Sequence, residues 1–197
     1  MTTSSPTEAD ARNPRDFSAS EIVYDEERFK ELVLYVAEKA ATDPSFGDTK
    51  LNKVLFFSDF FAYGFLGKPI TGAEYQKLPF GPAPRKILPA RRALVNEGRA
   101  DVVNKGRSFK QTVTVARTPA NRRLFDTAQL DLVDEVFDML REDTAISASE
   151  FSHQASAGWQ LVEMHETIPY ETVFVSTLKP PREAFDRGRE LAAQHNW

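Results

Sequence analysis

Apolar residues recur at helical spacing along most of the chain. Phe29, Leu32 and Val36 fall on one helix face after Asp25, whose side chain can cap the first turn. Residues 49–63 predict a second helix, and its apolar positions cover more than one face. A helix with so little polar surface has to be surrounded by other elements. The pattern therefore predicts a mainly α protein built around its second helix.

The apolar pattern alternates in only one stretch. Residues 101–103 and 109–115, separated by the Asn-Lys-Gly-Arg turn at 104–107, predict a β-hairpin. Residues 78–84 hold three prolines, which lack N–H donors and fix φ, so we expect a rigid loop without regular structure there. Residues 71–74 (TGAE) match a capping box and predict a short helical turn. The predicted fold class is a compact, mainly α domain with one small β-hairpin (α+β).

The two ends of the chain differ in composition from the middle. Residues 1–20 are rich in Thr, Ser, Pro and Asp and have few apolar anchors, which predicts a disordered tail. Residues 21–197 have the length of a single domain, and a pair of prolines at 180–181 precedes a predicted C-terminal helix.

The composition restricts the environment and the chemistry. The chain has 15 phenylalanines, which must be buried together or presented to a partner, and it has no cysteine. The lack of thiols suits a reducing cytoplasm, and no apolar run approaches the ~20 residues that a membrane helix needs. The start of the chain shows no signal peptide. We therefore expect a cytoplasmic protein that does not contact a membrane.

The charge is unevenly distributed, because residues 85–123 are basic in a protein whose net charge is −4. This segment has only two acidic residues, Glu97 and Asp101. Its eleven basic residues are Arg85, Lys86, Arg91, Arg92, Arg99, Lys105, Arg107, Lys110, Arg117, Arg122 and Arg123. A helix followed by a basic hairpin is typical of a winged-helix nucleic-acid binder, with residues 104–107 as the tip of the wing. We favour an acidic protein partner, because the acidic remainder of the chain would repel a polyanion.

Catalytic constellations are weak in this sequence. No two of the three histidines have the i, i+4 spacing of a helical zinc site, and no phosphate-binding glycine loop or serine-hydrolase elbow occurs. Ser152 and His153 are adjacent, so on a helix they point about 100° apart and cannot act as a pair. Asp59 lies among phenylalanines and needs a partner from elsewhere, such as Arg85 or a loop amide. We predict no enzyme activity, no metal and no cofactor.

Four motifs occur together in one order. Residues 49–59 read TKLNKVLFFSD, residues 67–75 read GKPITGAEY, Phe-Gly-Pro follows at 80–82, and Ser-His at 152–153 precedes Trp159. This string, over about residues 28–165, resembles the SocA-like Panacea antitoxin domain. Phe80 replaces the tyrosine that usually precedes Gly-Pro. The matching positions are Lys50, Leu51, Lys53, Phe57, Asp59, Gly67, Pro69, Gly72, Glu74, Tyr75, Phe80, Gly81, Pro82, His153 and Trp159.

The resemblance implies an antitoxin that binds and neutralises a separately encoded toxin. The family is paired with unrelated toxins, and one branch acts as an adaptor that delivers its toxin to a protease. At Lys50, Lys53, Asp59 and Glu74 the polar side chain either locks loops together or faces a partner. Two surfaces are candidates for the toxin: an aromatic face at Phe57, Phe61, Tyr63 and Phe65, and a basic strip of Arg91, Arg92, Arg107 and Lys110.

Overall fold

The structure, a computed structural model, describes residues 22–105 and 111–175, together with Arg187. Six α-helices lie in this part of the chain, at Glu26–Lys39 (α1), Asp48–Leu66 (α2), Ile87–Asn96 (α3), Thr127–Met139 (α4), Ala145–Ala155 (α5) and Ala157–Leu161 (α6). Four strands lie in the same part, at Tyr75–Leu78 (β1), Gly81–Pro84 (β2), Ala100–Lys105 (β3) and Gln111–Ala116 (β4). Three short 3-10 helices lie at Ala40–Thr42, Arg122–Leu124 and Tyr170–Phe174. The mainly α fold class is confirmed.

Helix α2 is the centre of the core, as its apolar pattern predicts. It contacts α1, α4, α5 and β2, and most of its residues from Lys50 to Ala62 are buried. Phe60 stacks on Tyr170 of the last 3-10 helix with 4.5 Å between ring centroids. The helix ends at Gly67, which has a φ of +78° and therefore favours glycine. The elements packed around α2 enclose one continuous core.

Helix α1 begins where the sequence predicts. The Asp25 side chain accepts a hydrogen bond from the backbone N–H of Arg28 at 2.9 Å, and two glutamates occupy the first turn beside the positive end of the helix. Phe29, Leu32 and Val36 are fully buried on its inner face.

The predicted β-hairpin is present as β3 and β4, which pair antiparallel from Ala100 opposite Ala116 to Lys105 opposite Gln111. The turn between the two strands, and with it Arg107 and Lys110, lies outside the described residues. The predicted tail at 1–20 and the predicted C-terminal helix also lie outside the described residues, apart from Arg187.

A second hairpin corrects the prediction of an irregular loop at 78–84. Strands β1 and β2 pair antiparallel, with Tyr75 opposite Pro84 and Lys77 opposite Pro82. The backbone groups of Tyr75 and Lys77 bond outward, to residues 165–168, so the two opposing prolines also face away from the ladder. A proline that faces away from the ladder costs no inter-strand hydrogen bond. The prolines therefore stiffen this hairpin without breaking it.

The predicted helical turn at 71–74 is also wrong, because these residues form an extended loop. The Thr71 side chain bonds Asp59 instead of capping a helix. Gly72 has a φ of +67°, and a Cβ there would lie 2.4 Å from the carbonyl oxygen of Val23. Tertiary contacts decide the conformation of this loop and override the local capping pattern.

Candidate partner-binding site

The buried carboxyl of Asp59 ties helix α2 to the loop before β1. It accepts hydrogen bonds from the Thr71 backbone N–H at 2.7 Å, from the Thr71 hydroxyl, and from the Tyr75 hydroxyl at 2.8 Å. Of the two partners suggested for Asp59 from the sequence, Arg85 and a loop amide, the structure shows the loop amide. Arg85 instead bonds Gln76 and residues 165–167.

The Tyr75 hydroxyl lies 2.8 Å from both Asp59 Oδ2 and the Leu55 carbonyl oxygen, so its single proton serves two acceptors. Burial raises the pKa of Asp59 against the lowering effect of these hydrogen bonds, which favours the neutral form.

The turn between β1 and β2, residues 78–82, is hereafter the signature loop. Lys53 extends from α2 beneath it, 2% exposed, and donates hydrogen bonds to the carbonyl oxygens of Phe80 and, at 3.3 Å, Pro82. No carboxylate pairs with Lys53 within the described part of the chain. Burial lowers the pKa of Lys53 to about 7.

Gly81 allows this close approach. Its φ is +95°, and a Cβ there would lie 2.3 Å from Ser152 Oγ and 2.6 Å from Lys53 Nζ. Ser152 is fully buried and donates to the carbonyl oxygen of Ser149 at 2.7 Å. Ser152 thus meets the signature loop as a packing residue of α5.

A stack of His153 and Trp159 supports the other side of the signature loop. The rings lie 3.8 Å apart and nearly parallel, and Trp159 Nε1 donates to the Leu78 carbonyl oxygen at 3.1 Å. Lys77 Nζ lies 4.6 Å from the Trp159 ring and donates to the Val162 carbonyl oxygen at 2.8 Å. Burial, with the nearby charge of Lys53, lowers the pKa of His153.

The remaining signature residues serve the scaffold or the surface. Lys50 is buried, pairs with Asp43 at 2.9 Å and donates to the Arg141 carbonyl oxygen at 2.8 Å. Leu51 and Phe57 belong to the core, so the aromatic face that begins at Phe57 reaches the surface only further along α2. Pro69 is half-buried, and Glu74 is exposed at 3.7 Å from Arg85.

Solvent exposure increases along the candidate aromatic face, from the buried core to the surface. Phe57 packs on Phe61, and Phe61 packs on Phe65, with centroid separations of 5.4 and 5.9 Å. Tyr63 and Phe61 are half-buried, whereas Phe65 is 76% exposed. Only the end of this face is open to a partner.

Ion pairs neutralise part of the basic segment. Of its nine basic residues that the structure describes, five form ion pairs: Arg85 with Glu74, Arg91 with Asp48, Arg99 with Glu31, Arg117 with Asp101 and Arg122 with Glu38. Although burial acts in the opposite direction, hydrogen bonds from Arg99 and from the backbone at 121 hold the pKa of Glu31 below its usual value. These pairs explain how a basic segment fits an acidic protein.

Arg91 is buried, although the sequence analysis placed it in the basic strip that could face a partner. It is 4% exposed, and its guanidinium binds both oxygens of Asp48 and donates to Thr114 Oγ1 at 2.8 Å. The neighbouring Arg92 is exposed and forms no ion pair with any described residue. Of the predicted basic strip, the described part thus leaves Arg92 as the surface cation.

Sequence reasoning missed three features of this site. Lys77 and Thr71 carry no local signal, because their partners lie 85 and 12 residues away along the chain. The exposed Leu161 and Met164 beside the signature loop read as ordinary helix and loop residues.

Across residues 22–105 and 111–175, no three His, Asp or Glu side chains are placed to hold a metal ion. No helix in that part of the chain is long and apolar enough to span a bilayer.

The arrangement of these residues agrees with a comparison against protein families. The family described as "Antitoxin SocA-like, Panacea domain" matches residues 51–160, which is more than half of the 197-residue chain. The chain belongs to this family. The matched span begins inside α2 and ends at α6, so it includes the signature loop and its supports. Neither the curated proteins nor the solved structures yielded a match.

Proposed function

We propose that this Panacea-domain protein is an antitoxin that neutralises a separately encoded toxin by binding it directly, without catalysing a reaction. Membership of the SocA-like family supports an antitoxin role and a toxin as the partner. The observation that supports direct binding is that the polar residues of the family motif form their hydrogen bonds within the protein. Lys53, Asp59 and Trp159 all bond groups of the protein itself. Asp59 fixes the loop before β1, and Lys53 and Trp159 fix the signature loop, whose Phe80 side chain is 74% exposed.

This arrangement suits binding better than turnover. Ser152 and Lys53 approach each other beneath Gly81, but both are buried under the signature loop and both bond backbone carbonyl oxygens. A substrate would have to displace that loop to reach them. A rigid loop that presents an aromatic ring lowers the entropic cost of association, because little has to be ordered on binding.

The test is co-expression with the product of the neighbouring reading frame. We expect that product alone to arrest growth, and we expect growth to recover when this protein is present and co-purifies with it. Direct neutralisation also predicts an unchanged amount of toxin in the cell. A harmless product, or a toxin that stays active without forming a complex, contradicts the proposal. Loss of the toxin protein itself would instead favour an adaptor that delivers it to a protease.

The alternative, a winged-helix-like nucleic-acid binder, depended on the basic excess of residues 85–123. Helix α3 is indeed followed by the β3–β4 hairpin, but its inward Arg91 is paired and its outer face exposes Leu88 and Val95 beside Arg92. Phosphate contacts need unpaired surface cations, and binding through them falls steeply with salt. Measurable DNA binding at ~50 mM salt that weakens as salt is added would favour this alternative.

A further inference from the structure

Three exposed apolar side chains lie on the signature loop and on the segment beside it. Phe80 is 74% exposed, Leu161 is 69% exposed and Met164 is 44% exposed. Backbone contacts place their segments side by side, because the His165 N–H donates to the Lys77 carbonyl oxygen at 2.9 Å. We call Phe80, Leu161 and Met164 the loop patch. Exposed apolar groups that cluster in this way, rather than singly, mark interaction surfaces.

The loop patch is held rigidly from below. The carbonyl oxygens on both sides of the turn are fixed, that of Leu78 by Trp159 and those of Phe80 and Pro82 by Lys53. Proline restricts φ at position 79, immediately before the exposed phenylalanine, and at position 82, two residues after it. An aromatic ring on a backbone that is already ordered loses little entropy on binding, and such anchors dominate the energy of protein interfaces.

Lys77, beside the loop patch, forms no ion pair within the described residues, because its Nζ donates to the Val162 carbonyl oxygen and lies over the Trp159 ring. The buried Arg91 and Lys50, by contrast, each have an aspartate partner. The carboxylates of the neighbouring segments, at Glu150, Glu163 and Glu166, are exposed and form no ion pair with a described residue either. A partner carboxylate over Lys77 would give this lysine an ion pair that the described fold does not provide.

We propose that the loop patch is the toxin-binding surface, and that it fits a protein surface with an apolar pocket for the Phe80 ring bordered by an aspartate or glutamate facing Lys77. This inference rests on the proposed antitoxin function and adds the site and the chemistry of the partner. The pocket would close over a phenyl ring, and the carboxylate would steer association through its attraction to Lys77.

The experiment compares Phe80→Ala with Phe65→Ala, since the two rings are exposed to nearly the same extent, 74% and 76%. Affinity is measured between each purified full-length variant and the product of the neighbouring reading frame. We expect Phe80→Ala to weaken binding about 30-fold or more, as for an interface anchor, and Phe65→Ala to change it less than about threefold. Leu161→Ala is a second patch variant and should show an intermediate loss.

A charge comparison tests the second part of the inference. Lys77→Glu should slow association about tenfold at low salt, and the difference should shrink as salt is added. Lys68→Glu, at an exposed lysine outside the loop patch, should not slow association. Equal affinity for wild type, Phe80→Ala and Leu161→Ala overturns the site while leaving the antitoxin function intact. The absence of any complex with the wild-type protein overturns both.

Discussion

The signature region and the basic segment both bury charged groups, but they stabilise them in opposite ways. In the basic segment, Arg91 and Arg99 each meet a carboxylate, so opposite charges compensate each other. In the signature region, Lys53 and Asp59 meet only backbone, hydroxyl and phenol groups. In the first arrangement each buried charge faces an opposite charge. In the second arrangement no opposite charge offsets the cost of burial. The pKa of Lys53 is therefore lowered and that of Asp59 raised, and both shifts favour the neutral form.

This difference separates two tasks within one fold. In the basic segment, the Arg91–Asp48 pair joins α3 to α2, and Arg91 also bonds Thr114 of β4. The Arg99–Glu31 pair joins the residue before β3 to α1, so this segment is part of the architecture. Neutral contacts in the signature region fix main-chain atoms of two loops at defined positions. The raised pKa of Asp59 and the lowered pKa of Lys53 should therefore make stability depend on pH through the signature region, as the lowered pKa of Glu31 does in acid through its pair with Arg99. Sensitivity to charge reversal should be greater in the basic segment.

The largest expected effect tests the architectural role of the basic segment. Arg91→Glu places a second carboxylate against Asp48 in a site that is 4% exposed, and it should lower the free energy of unfolding by about 3–5 kcal/mol. Arg92→Glu is the matched control and should change it by less than about 0.5 kcal/mol. Urea unfolding measures both. Similar values for the two variants would remove the distinction between paired and surface arginines.

Asp59 offers the next largest effect. Asp59→Ala leaves the Thr71 amide and hydroxyl without their acceptor inside the core, and it should destabilise the protein by about 3 kcal/mol. Asp59→Asn should cost much less, because an amide can still accept from the Thr71 N–H and can donate to the Tyr75 oxygen while Tyr75 donates to the Leu55 carbonyl oxygen. Equal losses for both variants would indicate that an ionised carboxylate is required.

The same variant supplies a pH test. Because the pKa of Asp59 is raised in the folded state, the folded protein holds a proton that the unfolded chain releases above about pH 3.9. Its stabilising contribution is complete below that pH and declines as pH rises towards the folded-state pKa. The stability of Asp59→Asn relative to wild type should therefore improve as pH rises. A difference that stays constant with pH would contradict the raised pKa.

A smaller effect is expected from Gly81→Ala, which should destabilise by about 2–3 kcal/mol. The added methyl meets Ser152 Oγ and Lys53 Nζ and also strains a backbone at positive φ. Gly98→Ala separates the two causes, because Gly98 has a φ of +68° but open space around its Cβ position. We expect about 1 kcal/mol there, measured by the same unfolding titration. Adding Ser152→Ala to Gly81→Ala should recover part of the loss.

The smallest effect at neutral pH is expected from Lys53→Met. It removes a donor from two carbonyl oxygens but also removes a costly buried charge, so its effect near pH 7 should be about 1 kcal/mol. The pKa of Lys53 is about 7 in the folded state and about 10.4 in the unfolded chain. Wild-type stability should rise between these pH values and that of Lys53→Met should not. A parallel pH profile for both would contradict the lowered pKa.

The local sequence pattern predicted helices α1 and α2 and the β3–β4 hairpin well, because these elements are determined by neighbours within a few residues. The start of α1 at Asp25 and the buried position of α2 follow from capping and apolar coverage. The loop at 71–74 and the β1–β2 hairpin could not be predicted in this way. The first depends on Asp59, and the second on which side of a strand its prolines face.

The motifs predicted which residues belong to the site, but not how those residues are arranged. The motif string identified Lys53, Gly81, His153 and Trp159 as belonging together, yet nothing local indicates that they meet at one turn. Arg91 shows the converse error, since an arginine on an amphipathic helix reads as a surface residue. Its acidic partner lies 43 residues earlier, and that distance hides the pair from any local pattern.

Among the described residues, the side-chain hydrogen bonds that fix the signature loop end on main-chain oxygen atoms, at Leu78, Phe80 and Pro82, and not on the side chain of Phe80. The identity of residue 80 is thus decoupled from the stability of the turn that carries it. A library of substitutions at this one position should fold alike and differ in what it recognises, which makes the turn a natural place from which to retarget the protein to a new toxin.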